Sequence, residues 1–215
     1  KREGTTLFVC DYMKKSLLTV NKETPISTAL EILQKHQIRQ LPVVEGEKLA
    51  GLVTEKQLLK VSPSPATSLG VFERNYFLAN IKVSEVMVKF PLTVTPDTTI
   101  EEAALYMREH KIGSAPVVVG EKLVGIITVT DIFDALIKYF GYGKSGLRLV
   151  IESKDRSGLL AEITQLLNEF NAPVKGVIYF VKDNEEARIK LRIETSNASP
   201  LLAAMKSRGF KITCF

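Results

Sequence analysis

Apolar positions along this chain switch between two spacings. Ala29, Leu30, Ile32 and Leu33 recur at the three-to-four-residue spacing of a helix face, which predicts a helix over residues 27–36, and residues 101–110 read the same way. Each helix is followed by two β-rich runs, 41–45 and 49–54 in the first case, separated by Glu45, Gly46 and Glu47. A Gly-containing break of that length between strand-like runs predicts a hairpin, and the pattern returns around Gly120. A short extended piece precedes each helix, at 18–20 and 92–95, and a second helix follows from about Glu55 or Thr130. The order is β-α-β-β-α, twice.

The recurrence is more than a shared pattern. Shifting the chain against itself by 74 residues aligns 13–60 with 87–134 without a gap, and 19 of the 48 positions are identical. Matches include Met13 with Met87, His36 with His110, Pro42-Val43-Val44 with Pro116-Val117-Val118, and Gly46-Glu47-Lys48-Leu49 with Gly120-Glu121-Lys122-Leu123. A repeat of this length is one supersecondary unit, and 48 residues bury too little surface to stand comfortably alone. Two copies packing their sheets together would supply the missing burial.

Between the copies, residues 62–68 (Ser, Pro, Ser, Pro, Ala, Thr, Ser) compose a linker, and 72–81 predict a short helix. Beyond the Gly-rich stretch 141–146 the repeat stops. The remainder reads as strand 147–153, helix 158–170, strands 174–181 and 187–195 with a turn at Asp183 and Asn184, helix 200–207 and strand 210–215. That β-α-β-β-α-β order is the ferredoxin-like pattern.

Two motifs carry a resemblance. Ile112, Gly113, Ser114, Ala115, Pro116, Val117 and Val118 form a strand opening, and Gly125, Ile126, Ile127, Thr128, Val129, Thr130 and Asp131 run from strand into helix. Through them each copy resembles a cystathionine-β-synthase-type (CBS) domain. The final third looks like an ACT domain, a small-molecule-sensing module, through Asp155, Arg156, Ser157, Gly158, Leu159, Leu160, Ala161, Glu162 and Ile163. A CBS pair followed by one ACT domain is similar to the acetoin-utilisation regulatory family. The implied fold class is mixed α+β, with a CBS domain at 7–61, a linker at 62–80, a second CBS domain at 81–140 and an ACT domain at 147–215.

The resemblance implies an adenine nucleotide (AMP, ADP or ATP) or S-adenosylmethionine as regulatory ligand, held between sheets and helices. On that basis Asp131 would accept two ribose hydroxyls, and Thr128, Thr130 and the helix amides would suit a phosphate. The backbone of Ile112, Gly113, Ser114, Ala115 and Pro116 would edge the adenine, with Gly113 permitting close approach. Thr93 is a further candidate. A competing reading is purely structural, because Thr-x-x-Asp is also a capping box. The first copy has Thr54 and Gln57 at these positions, a capping box without the carboxylate, so its site departs from the family pattern. Arg39, standing where the second copy has Gly113, could reach a phosphate or simply face solvent.

In the ACT segment, Asp155 could hold an α-ammonium and the amides around Gly158 a carboxylate, at what the family makes a dimer interface. Alternatively Asp155 or Ser157 caps the helix. Pro173 stands where amino-acid-binding members carry a polar side chain such as Asn, which argues for dimerisation there. Family habit also implies a homodimer.

Composition narrows the classes. Lys and Arg number 29 against 24 Asp and Glu, a net charge of +5, but the longest basic runs are pairs such as Lys14-Lys15, so no concentrated nucleic-acid footprint is visible. No apolar run approaches the roughly 20 residues of a membrane-spanning helix. The two cysteines, Cys10 and Cys214, have no metal-ligand spacing, and a reducing cytoplasm is the simple expectation. His36 and His110 sit at helix ends, Met87 and Met107 read as packing residues, and Glu101-Glu102 as the acidic start of a helix. No nucleophile with a base, metal triad or phosphate loop is present. The expectation is a non-enzymatic ligand-sensing regulatory protein with no required cofactor or metal, acting on an unnamed enzyme. The alternative is an interaction scaffold with vestigial sites.

Overall fold

A computed structural model describes residues 7–62, 76, 78–140, 145–182 and 185–215. The expected linker beyond residue 62, residues 72–75 and 77 of the expected helix, residues 141–144, and the turn at Asp183 and Asn184 lie outside the described residues. The chain divides into two units, residues 1–135 and 136–215.

In the first unit each copy contributes a helix and a hairpin. After a short turn of helix, α1 (Val9–Tyr12), come α2 (Ile26–Lys35), β1 (Gln40–Glu45), β2 (Lys48–Thr54) and α3 (Glu55–Val61). The second copy opens with α4 (Val83–Val86) and continues with α5 (Ile100–Glu109), β3 (Ser114–Val119), β4 (Lys122–Thr128) and α6 (Val129–Tyr139). α2 buries Ile26, Ala29 and Leu33, and α5 buries Ile100, Ala103 and Met107, the equivalent positions 74 residues on. Burying each large side chain of this kind is worth about 1.5–3 kcal/mol. Gly46 and Gly120 take φ of 62° and 61° at the hairpin tips, the left-handed conformation a two-residue turn requires at its first central position.

The expected sheet-on-sheet packing is instead one four-stranded sheet, ordered β1-β2-β4-β3. The copies meet at Lys48 opposite Lys122. Like charges facing across strands repel, and each is countered crosswise: Lys48 reaches Glu121 at 2.6 Å and Lys122 reaches Glu47 at 2.8 Å. The extended pieces ahead of α2 and α5 shrink to single parallel bridges, Val20 to Val43 and Val94 to Val117.

The segments leading into the copies cross over. Val9 N donates to Thr98 O at 2.9 Å, Ile100 N to Leu7 O at 2.8 Å, and Lys14 pairs with Ile126, so the lead-in to the first copy lies on the second. The lead-in to the second copy lies on the first: Ile26 N donates to Ile81 O at 2.9 Å, and Leu52 pairs with Val88. Met13 thereby covers Gly125, and Met87 covers Gly51, positions where a β-carbon would sit 2.5 and 2.6 Å from the sulfur. Glycine is required there by close approach.

The second unit is a separate α+β layer. Its sheet is ordered β6-β7-β5-β8, from β5 (Leu147–Lys154), β6 (Val174–Val181), β7 (Glu186–Ile193) and β8 (Lys211–Cys214). Helices α7 (Leu159–Glu169) and α8 (Ser199–Ser207) pack against the face carrying Leu149, Ile151, Ile189, Leu191 and Ile193. All six expected elements of this third are present in order.

Candidate functional site

The strand-to-helix junctions of the first unit are built alike. Thr128 Oγ1 accepts from Asp131 N at 3.3 Å, while Asp131 Oδ2 accepts from Thr128 N at 2.8 Å and from its hydroxyl at 2.6 Å. Thr54 and Gln57 repeat the arrangement, with Gln57 Oε1 accepting from Thr54 N and Oγ1 at 2.9 Å each. Both are complete capping boxes. Asp131 is 8% exposed, and the box engages only its Oδ2 through these bonds.

A cleft of 490 Å³ opens beside the Thr54 junction. The first copy lines it with Arg39, Gln40, Leu52, Thr54, Glu55 and Lys56. From the second copy come Val88, Phe90, Pro91 and Leu92 of the lead-in, and Lys111, Ile112, Gly113 and Ser114 ahead of β3. Among the described lining residues, three cations, Arg39, Lys56 and Lys111, accompany the apolar side chains, with Glu55 as the one carboxylate. Each copy also ties its own junction through backbone. Glu55 N donates to Arg39 O at 2.9 Å and Val129 N to Gly113 O at 3.1 Å, so the residue ahead of each edge strand, β1 or β3, holds the start of the helix that follows its own hairpin.

Ile112, Gly113 and Ser114 line this cleft, and a β-carbon on Gly113 would meet nothing within 4 Å, which leaves its backbone open to a ligand. Ser114 pairs with Thr128 across β3 and β4, so the strand opening and the Thr128–Asp131 junction are neighbours. The other expected residues stand off the cleft. Ala115 and Pro116 are buried in β3, and Pro116 O accepts from Val94 N at 3.1 Å. Thr93 is half-buried next to Leu92, and Thr130 is exposed on α6. Residues the sequence reading passed over are Gln40, Lys56, Phe90 and Lys111. Lys111 takes φ of 54° after the end of α5, a conformation with no signature in its residue type.

Other expectations resolve locally. Glu102 caps α5, accepting from Thr99 N at 2.9 Å, and its hydrogen bonds to Thr99 hold its carboxyl below the ordinary glutamate range. His110 Nδ1 lies 2.8 Å from Tyr106 O and its ring packs on Tyr106. Among the described residues no group of three or more His, Cys, Asp or Glu is arranged to hold a metal ion, and no helix is long and apolar enough to cross a membrane.

In the second unit Asp155 Oδ1 accepts from the Tyr179 hydroxyl, which raises the tyrosine above its ordinary range, and Asp155 N donates to Glu185 O at 2.7 Å. The expected cap by Asp155 or Ser157 does not form. Gly158 is the N-cap of α7, at φ 82°, with no side-chain bond, and open space lies beside its α-carbon.

A paired β-α-β-β-α repeat with a polar-rimmed cleft, followed by a ferredoxin-like layer, defines a two-module α+β architecture. The CBS-domain family model matches residues 9–64 and 83–138, and the ACT-domain model matches 146–207. The chain belongs to the CBS-domain family and carries a C-terminal ACT domain, the tandem arrangement of the acetoin-utilisation type. A CBS-domain-containing protein of Dictyostelium discoideum is 34% identical over 134 residues, which is 61% of this chain and 92% of the relative. Inosine-5′-monophosphate dehydrogenase of Korarchaeum cryptofilum is 31% identical over 57% of this chain, but the match spans only 23% of that enzyme. Among solved structures, CBSX2 in complex with AMP superposes with TM-score 0.53 at 27% identity, covering 61% of this chain and 97% of that one. A putative acetoin utilization protein (AcuB) of Vibrio cholerae gives 0.52 at 30% identity, covering 62% and 92%. The CBS pair of protein MJ0100, bound to 5′-methylthioadenosine and S-adenosyl-L-methionine, gives 0.51 at 27%, covering 61% and 96%.

Proposed function

We propose that this chain is a non-enzymatic regulatory protein whose CBS pair senses an adenine nucleotide. The observation that carries the reading is the cleft itself: an apolar floor of Leu52, Val88, Pro91 and Ile112 under three cations. A purine would lie on that floor against the open backbone of Gly113, and Arg39, Lys56 and Lys111 would take the phosphate. S-adenosylmethionine carries a sulfonium cation, which this charge balance disfavours, so AMP, ADP or ATP is the preferred ligand. CBSX2 with AMP, and MJ0100 with methylthioadenosine and S-adenosyl-L-methionine, support adenine-bearing ligands in relatives of this shape.

At the repeat-equivalent junction, Thr128, Thr130 and Asp131 form a second, differently equipped site, where Asp131 Oδ1 would accept ribose hydroxyls. The first junction lacks that carboxylate, since Gln57 closes its amide oxygen into the cap. The ACT domain would serve dimerisation or sense a second metabolite at Asp155 and Gly158. Its edge strand β6 exposes Val177, Phe180 and Val181, an apolar edge suited to pairing with a second copy. The regulated partner would be a cytoplasmic enzyme.

Thermal melting and calorimetry with AMP, ADP, ATP and S-adenosylmethionine test the reading, since ligand at 100 times its Kd adds about 2.7 kcal/mol. The expected result is a nucleotide-dependent rise in Tm that Lys56→Ala and Asp131→Ala both diminish. No rise with any nucleotide, or a rise that both variants leave intact, overturns it. The scaffold reading rests on the capped Gln57, and its expected outcome is a dimer whose melting ignores every ligand.

A further inference from the structure

The ACT sheet has a second face, away from α7 and α8. Along β5 and β7 the register sets Arg148 opposite Arg192, Val150 opposite Lys190 and Glu152 opposite Arg188. Directly opposed residues share a face, and like charges so placed destabilise a sheet. Here two arginines oppose each other, one of them only 5% exposed, and a lysine and a third arginine follow along the same strand.

The four cations line one cleft of 770 Å³. Among the described lining side chains the carboxylate is Glu152, which pairs with Arg188 and with Lys211 at 3.2 Å. Arg188 spends its terminal nitrogen on Glu152, while its Nε is buried and makes no hydrogen bond. Apolar side chains complete the wall, chiefly Val150, Ile178 and Phe215. Clustered cations over an apolar wall match a ligand with acidic groups at one end and a carbon skeleton at the other.

We infer that this open-face cleft of the ACT sheet binds a small organic anion bearing two or more carboxylate or phosphate groups. Arg148 and Arg192 grip one acidic group from both strands, and Lys190 takes the next. The carbon skeleton lies against Phe215 and Ile178. This site is separate from the turn at Asp155 and Gly158, and it does not depend on the nucleotide reading of the CBS pair.

The test uses the full chain in a chloride buffer, titrated calorimetrically with citrate, inorganic pyrophosphate and phenyl phosphate at matched ionic strength. Lys190→Ala and Arg148→Gln alter side chains that are not deep in the core, and each is read in a Lys111→Ala background, which weakens phosphate binding at the N-terminal cleft. Saturable binding of at least one probe is expected in that background, weakened roughly tenfold by Lys190→Ala or Arg148→Gln, the scale of one charge-assisted hydrogen bond. Binding unchanged by both ACT substitutions, no binding left in the Lys111→Ala background, or a response no different from added chloride overturns the inference. So does a change from dimer to monomer in Lys190→Ala without any effect on anion binding, because a second copy would then be the occupant.

Discussion

Gly51→Ala is the sharpest probe of the crossed lead-ins. A β-carbon at residue 51 would sit 2.6 Å from Met87 Sδ and 2.8 Å from Val88 O, so the methionine can swing aside but the backbone oxygen cannot. Val88 O accepts from Leu52 N at 3.0 Å and Val88 N donates to Leu52 O at 2.9 Å, and relief of the clash pulls this pair apart. Overpacking of this kind costs about 1–3 kcal/mol. A lost backbone bond adds about 0.5–1.5 kcal/mol, which puts the sum near 2–4 kcal/mol. At roughly 3 °C per kcal/mol for a unit of this size, Tm falls by about 6–12 °C. Gly125→Ala is the internal control. Its β-carbon meets Met13 Sδ at 2.5 Å and Cγ at 3.0 Å, with Lys14 O at 3.2 Å, so most of the strain lies in a flexible side chain and the loss is about 1 kcal/mol. Combining each with truncation of its methionine separates the terms: Met13→Ala offsets much of the Gly125→Ala penalty, whereas Met87→Ala leaves most of the Gly51→Ala penalty in place. Thermal unfolding followed by circular dichroism reads the six variants against the wild type. Equal losses at both glycines, or a larger loss at Gly125, refutes the account of backbone contact at Gly51.

Lys111→Gly relaxes a left-handed residue at the end of α5 while removing a cation from the cleft; Tm is expected to hold or rise, by up to about 1 kcal/mol of stability, as AMP affinity measured by calorimetry falls, and a drop in both would mean the side chain supports the fold. Gln57→Asp copies the Thr128–Asp131 box, so it should leave Tm nearly unchanged and tighten AMP binding; unchanged binding would show that the first junction does not meet the ribose. Arg188 and Lys211 hold the Glu152 carboxyl below the ordinary glutamate range. A carboxylate with a depressed folded-state pKa stabilises above its unfolded value and loses that contribution as pH falls through the folded one. The Tm gap between wild type and Glu152→Gln should therefore close on acidification, and a gap constant across the acid range would remove this pairing as its source.

How much of this was legible in the sequence depends on how local each feature is. Helix faces, hairpins and capping boxes are set by residues within a few positions of one another, so Ala29 and Leu33, Gly46, or Thr128 with Asp131 announce their roles directly. The six-element order of the ACT domain was readable for the same reason. The 74-residue identity revealed two copies, yet it presents each as contiguous, with its own lead-in and its own cleft. The folded chain exchanges the lead-ins: Met13 covers the second copy's Gly125 and Met87 the first copy's Gly51. That exchange leaves one trace in the sequence, the paired recurrence of Met and Gly at 13 and 51 and again at 87 and 125. The recurrence cannot say whether Met13 meets Gly51 or Gly125, because both pairings preserve the repeat. The same ambiguity governs the cleft. Thr54, Arg39 and Lys111 carry no local mark of belonging together, and it takes contacts between the copies, the hairpins meeting at Lys48 and Lys122 and the crossed lead-in pairing Val88 with Leu52, to set the first copy's Thr54 junction in one cleft with the second copy's Ile112, Gly113 and Ser114. Once lead-ins are exchanged, a ligand held by Lys56 and Lys111 touches both copies at once, so binding there would act on the join between repeats, the place where a paired fold is able to convert occupancy into a change of shape.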